Sequence, residues 1–190
     1  MIKFHTNREL SQIFGVNLAK WKRWSREFLP PDPLGGLQSG YARQYNLDEA
    51  FTVFLAGHLV GDLKFTIPES RQILDDLNQW LIYHDFYFDF SGRAKFEKKP
   101  IDAVQHYHIA ILNRKISNQE NPGLQYRIKA AITSDWVDDD GIRMRQERFF
   151  EETVGLQDGG AAEDFSSVSF RVLNISALRQ RFLDCLSVFR

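Results

Sequence analysis

Lys20, Lys22, Arg23 and Arg26 stand close together in the chain, interleaved with Trp21 and Trp24. At helical spacing Leu18, Trp21, Trp24 and Phe28 fall on one side, and the cations fan over the remainder. Cations on a helix packed from behind by tryptophans suit docking against DNA. They neutralise phosphates, while residues near the helix start reach base edges. Asn17 stands immediately ahead as a good N-cap. Downstream, Arg43 and Tyr45 alternate across a short extended segment and share one face, placed to hold a phosphate backbone. The same residues also suit plainer roles: an amphipathic helix with a solvated basic face, and a surface loop with a packed tyrosine.

Other chemistry is thin. His58 lies on the inner side of a helical pattern with nothing nearby to complete a metal site, and reads as a packing residue. His106 and His108 share one side of a strand pattern, but two histidines do not make a site. Asp138, Asp139 and Asp140 lack the spacing and the later glutamate of a calcium loop, and read as a hairpin tip. Cys185 sits on an apolar helical stripe, so it is expected to pack rather than react. No nucleophilic triad, phosphate-binding glycine loop or carboxylate pair stands out. The expectation is a binding protein rather than an enzyme, with no cofactor and no metal.

The elements that must position these residues follow from caps and periodicity. Thr6-Asn7-Arg8-Glu9 fits a capping box opening a first helix with Leu10, Ile13 and Phe14 as its stripe. Gly15 closes it, and a second helix runs from Leu18 to Phe28. Residues 29–40 hold Pro30, Pro31 and Pro33, so they cannot be helical throughout; with the short strand around Arg43 and Tyr45 they read as a β-wing. A third helix over Glu49–Leu63 is expected with Asp48 as cap, and a fourth begins at the capping box Thr66–Glu69. Helical spacing ends near His84-Asp85, where Phe86, Phe88 and Phe90 begin to alternate. Strands are expected over 107–112, 124–133, 142–154 and 167–173, with a loop over 157–164. A last helix, Ala177–Phe189 capped by Ser176, carries a stripe wide enough to cover the sheet or to pair with a second subunit, and is expected to cover the sheet. The fold class is therefore α+β: a helical domain over 1–84, then over 85–190 a small antiparallel-sheet domain closed by a C-terminal helix.

Composition sets the outer limits. The 190 residues carry 24 basic and 25 acidic side chains, for a formal charge of −1, so no chain-wide field favours a polyanion. The charge is uneven, however. The first 45 residues hold seven cations against three anions, or +4, leaving 17 against 22, or −5, for the rest. One cysteine excludes an intrachain disulfide framework and a cysteine-rich zinc site. There is no apolar run near the ~20 residues of a membrane span, and no apolar leader at the start. A cytoplasmic protein with no membrane partner is expected.

The ordered set of elements resembles the N-terminal winged helix-turn-helix of the MerR family of transcription regulators. The resemblance rests on Thr6-Asn7-Arg8-Glu9-Leu10, Gly15-Val16-Asn17, Trp24 through Leu29-Pro30-Pro31, Gly40-Tyr41-Ala42-Arg43-Gln44-Tyr45, Asp48-Glu49-Ala50 and the run from Leu63 to Leu74. It covers about residues 4–80. It implies a second helix in the major groove and a wing on the backbone. Lys22 stands where the family usually has a DNA-contacting arginine, Arg43 and Tyr45 match the wing's Arg-x-Tyr, and Asn17 matches the small polar residue opening the recognition helix. Trp24-Ser25 departs from the family's usual Tyr-Glu step, and Ala42 is an extra wing residue. Strands near residue 85 replace the long coiled-coil helix of typical members.

The expected function is sequence-specific binding of double-stranded DNA as a transcriptional regulator, with Asn17, Lys20, Lys22, Arg23, Arg26, Arg43 and Tyr45 as the contact set. The C-terminal half is open to homodimerisation or to sensing a small-molecule or protein effector. The alternative is a protein-interaction adaptor that retains a winged-helix scaffold, and an enzyme is the remaining reading.

Overall fold

Residues 4–32, 42–88, 104–114, 123–154 and 170–188 are described by the computed structural model. In chain order they form β1 (His5–Thr6), α1 (Asn7–Ile13), α2 (Leu18–Phe28), β2 (Gln44–Tyr45), α3 (Leu47–Gly61), α4 (Ile67–Tyr83), β3 (Val104–Arg114), β4 (Gly123–Val137), β5 (Arg143–Val154), β6 (Arg171–Asn174) and α5 (Ile175–Val188). The α+β class holds. Among the described residues, no helix is long and apolar enough to cross a membrane.

Two units result. The first comprises Met1–Gly92 with Leu178–Arg190, and the second Arg93–Ala177. The last helix therefore does not belong wholly with the sheet, as the sequence reading of 85–190 had it. From Leu178 onward α5 is part of the helical unit. There the fully buried Phe182 lies 5.2 Å from the rings of both Phe14 and Phe51, and 5.6 Å from those of Phe54 and Phe88.

Capping explains most helix starts in the first unit. Thr6 and Glu9 form a reciprocal capping box on α1, and Thr66 and Glu69 form another on α4. The cap of α3 is Asn46 rather than Asp48. Asn46 and Glu49 close a third box, while the Asp48 carboxylate accepts the Phe88 amide. The core takes Leu10, Trp21, Phe51, Leu55, Leu59, Ile73, Leu77 and Leu81, all fully buried or nearly so. After α4 the chain does not turn directly to a strand. Asp85 adopts φ +58°, Phe86 stacks on Trp80 at 5.4 Å, and Arg179 of α5 donates to the Phe86 carbonyl at 3.2 Å. Phe90 lies outside the described residues.

The second unit is one antiparallel sheet in the order β5-β4-β3-β6. Register pairs Ile109 with both Ile128 and Leu173, and Ala130 with Phe150. The period of two puts Tyr107, Ile109, Ile111, Tyr126, Ile128 and Leu173 on one face, all buried. The other face carries exposed His106 and His108, with Glu151 bridging Arg127 at 2.7 Å and Lys129 at 3.8 Å. The Asp138 carboxylate caps the β4–β5 tip by accepting from Asp140 and Ile142 amides, and Gly141 takes φ +79°. These aspartates build a turn, as the sequence suggested. Asn174 rather than Ser176 opens α5, accepting from the Ala177 amide at 2.9 Å, while Ser176 Oγ accepts from the Tyr107 amide. The expected loop over 157–164, the start of the last strand (167–169) and Phe189 lie outside the described residues.

Candidate functional site

The basic helix is held at both ends and from behind. At its entry, Gly15 takes φ +62°, a left-handed conformation that disfavours a side chain. Asn17 Oδ1 then accepts from the Ala19 and Lys20 amides at 2.9 and 3.4 Å. No acidic residue occupies the first turn of α2, so its positive dipole end is not neutralised locally. At the far end, Arg71 of α4 donates to the Glu27 carbonyl at 2.7 Å and pairs with the Glu27 carboxylate.

Behind the helix, Trp21 is fully buried, stacked 5.5 Å from Phe14. Trp24 presses onto α3 at Gly57, where an added Cβ would lie 2.4 Å from the indole ring. That glycine is a steric requirement: only a residue without a side chain lets the tryptophan approach.

At about 100° per residue, Lys22, Arg23 and Arg26 point away from this packed side together with Ala19. All are exposed, and none of the three cations is ion-paired with a described residue. Lys20 lies on the flank, its Nζ 4.9 Å above the Trp24 ring. The four cations are therefore three on the outward face and one packed along its edge.

Arg43 and Tyr45 sit otherwise than the sequence suggested. Tyr45 has no exposed surface. Its hydroxyl donates to Asn7 Oδ1 at 2.6 Å and, with its one proton so committed, accepts from Ser25 Oγ at 2.6 Å. Burial pushes the phenol above its ordinary value of 10.0, against the lowering effect of the Ser25 hydrogen bond and nearby Arg43. Arg43 is also engaged internally. It donates to the Pro30 carbonyl at 2.8 Å, pairs with Glu49 at 3.0 Å, and lies 5.4 Å over the Tyr45 ring. Arg43 precedes strand β2, and β2 is not half of a wing hairpin with the described residues just before it. It pairs antiparallel with β1, Tyr45 opposite His5. Residues 33–41, where a wing tip would fall, lie outside the described residues.

These supports converge on a pocket of about 620 Å³ beside α2, lined by Asn7, Ala19, Lys22, Ser25, Arg26, Pro30, Arg43 and Tyr45 among others. Lys22 and Arg26 thus border both the pocket and the outward face. Sequence reasoning missed Asn7, Ser25 and Glu49 as the partners that spend Tyr45 and Arg43. Ser25 carried a signal: it is a polar residue on the tryptophan side of α2, where a buried hydroxyl must find a partner. Among the described residues no group of three or more His, Cys, Asp or Glu side chains is arranged for a metal ion. His58, half-buried, is engaged with Asp62 through Nδ1 at 2.6 Å. Compared with protein-family models, curated proteins and solved structures, the chain finds no match in any of the three.

Proposed function

We propose that this chain binds duplex DNA through the outward face of α2 and acts as a sequence-specific transcriptional regulator. The observation that carries the reading is the state of Lys22, Arg23 and Arg26. They are exposed, adjacent and free of ion pairs with described residues, on a helix otherwise fixed by buried tryptophans. A helix packed from behind, with exposed cations on the opposite face, is suited to neutralise phosphates. Asn17 has its carbonyl oxygen committed to the cap, so its contribution to a duplex is through the amide nitrogen. Arg43 and Tyr45 enter as supports that fix α2 from below, not as contacts. On this reading the protein is not an enzyme and requires no cofactor.

Selection of bound duplexes from a random library, followed by salt titration, tests it. If Z phosphates are contacted, log affinity falls against log salt with a slope of about −0.9Z. Lys22→Ala with Arg26→Ala should flatten that slope by about 2 while leaving the melting curve unchanged. Failure to enrich any duplex, or an unaltered slope in the double variant, rules the reading out. A protein partner retained by the double variant with no DNA bound would put an adaptor in its place.

A further inference from the structure

Strand β5 forms an edge of the sheet, exposed along almost its whole length, and among the described residues only β4 pairs with it. An edge strand of this length offers a row of unpaired amides and carbonyls to another chain. Natural edges are guarded by charge, and β5 is charged: Arg143, Arg145 and Arg148 against Glu147, Glu151 and Glu152. The signs are segregated, however, mostly basic at the start and acidic at the end. That distribution guards against parallel stacking but invites an antiparallel second copy, whose acidic end meets the basic start.

We infer that β5 pairs antiparallel with β5 of a second copy about a two-fold axis centred on Phe150, joining the two sheets into one. Charge narrows the register to two centres. In a two-fold pair perpendicular to the sheet, opposed residues share a face, so the axis passes through a residue position. Centring on Glu147 or Glu151 sets glutamate on glutamate, centring on Arg148 sets arginine on arginine, and centring on Phe149 opposes Glu147 to Glu151. Centring on Gln146 avoids like charges, opposing Arg145 to Glu147 twice and Phe149 to Arg143 twice. Centring on Phe150 also avoids them, opposing Arg148 to Glu152 twice, Glu147 to Thr153 twice, Phe149 to Glu151 twice, and Phe150 to itself.

Burial selects Phe150 over Gln146. Phe150 is paired to Ala130 and lies at the outer margin of the buried apolar face, still 54% exposed. A second Phe150 across the axis would continue that face. The pairing rests on the sheet alone and stands or falls independently of DNA binding by α2.

Sedimentation velocity of the full chain across a concentration series is the test. Wild type should dimerise. Arg148→Glu and Glu152→Arg should each weaken the dimer roughly tenfold or more, since each replaces two opposite-charge cross-strand pairs by two like-charge pairs. The combined R148E/E152R variant should restore it. Circular dichroism on each variant shows that the sheet is intact. In a Cys185→Ser background, Phe150→Cys should form an intermolecular disulfide, because directly opposed positions fall within bridging distance. A wild-type chain that stays monomeric at the highest concentration overturns the inference. So does a dimer indifferent to both charge reversals, or one that the double reversal fails to rescue while the sheet remains folded.

Discussion

At the scale of single residues, Tyr45 shows how a side chain suited to contact can serve as a support instead. Its phenol joins α1 to α2 through Asn7 and Ser25, and its ring lies under Arg43. Tyr45→Phe removes that link and leaves a buried serine hydroxyl without its acceptor, so unfolding free energy should drop by about 1–3 kcal/mol. The raised phenol also predicts a pH dependence. Above 10.0 an unfolded tyrosine loses its proton while folded Tyr45 keeps it, so the folded state binds more protons and stability falls as pH rises. Below that value the contribution is fully present. Tyr87 is displaced the same way, by burial first, and adds to the slope. Urea midpoints measured from below to above the ordinary phenol value should decline in wild type and decline less in Tyr45→Phe. Equal slopes would mean that Tyr45 ionises in the folded protein as it does in the unfolded chain. The residue types at positions 43 and 45 suggested phosphate contacts because composition and alternation report what a side chain can bind. They do not report that Glu49 and Ser25 bind it first.

At the scale of elements, the contact between α2 and α3 turns on Gly57. Alanine there gains about 1 kcal/mol of helix propensity over glycine. Its Cβ, at 2.4 Å from the Trp24 ring, must displace an indole that is itself packed, at a cost of about 1–3 kcal/mol. The steric cost is expected to outweigh the gain, so Gly57→Ala should lower the denaturant midpoint. Gly61 supplies the control on the same helix. Its nearest neighbours stand 3.9 Å from a built Cβ, so Gly61→Ala should be neutral or stabilising by up to about 1 kcal/mol. Opposite signs for the two glycines would show that the Trp24 contact, not helix propensity, decides. The helices were largely legible in the sequence because their starts are local: Thr6, Asn17 and Thr66 cap as their spacing predicts. The cap of α3 was placed late, since both Asn46 and Asp48 can cap and only the reciprocal Glu49 bond separates them. The β2 pairing with β1 was not legible at all. Two-residue strands carry no period, and their partner lies far off in the chain.

At the scale of the whole molecule, the helical unit is discontinuous in sequence, because residues from Leu178 onward return to it. In the sequence, the stripe of Leu178, Phe182, Cys185, Leu186 and Phe189 suits the sheet first and a second subunit otherwise. An amphipathic stripe states how much surface a helix must bury but not which surface receives it. The aromatic cluster around Phe182 is the physical answer, with Phe14, Phe51, Phe54 and Phe88 all within 5.6 Å of its ring centre. Phe182→Ala should therefore cost about 3–5 kcal/mol, a large fraction of the 5–15 kcal/mol typical of a domain. Loss of that magnitude would be felt where α2 is anchored, since Phe14 stacks on both Phe182 and Trp21. The fluorescence of Trp21, Trp24 and Trp80, all buried in this unit, should then report unfolding at lower denaturant. Trp136, 45% exposed on β4, contributes a signal from the sheet, so Trp136→Phe carried in both proteins isolates the helical unit. If Phe182→Ala leaves the midpoint of that isolated transition in place, α5 is not part of the core that holds the basic helix. If the midpoint falls as expected, any loss of the proposed DNA affinity in the same variant is a folding effect. Only the exposed cations Lys22, Arg23 and Arg26 can then separate binding from stability.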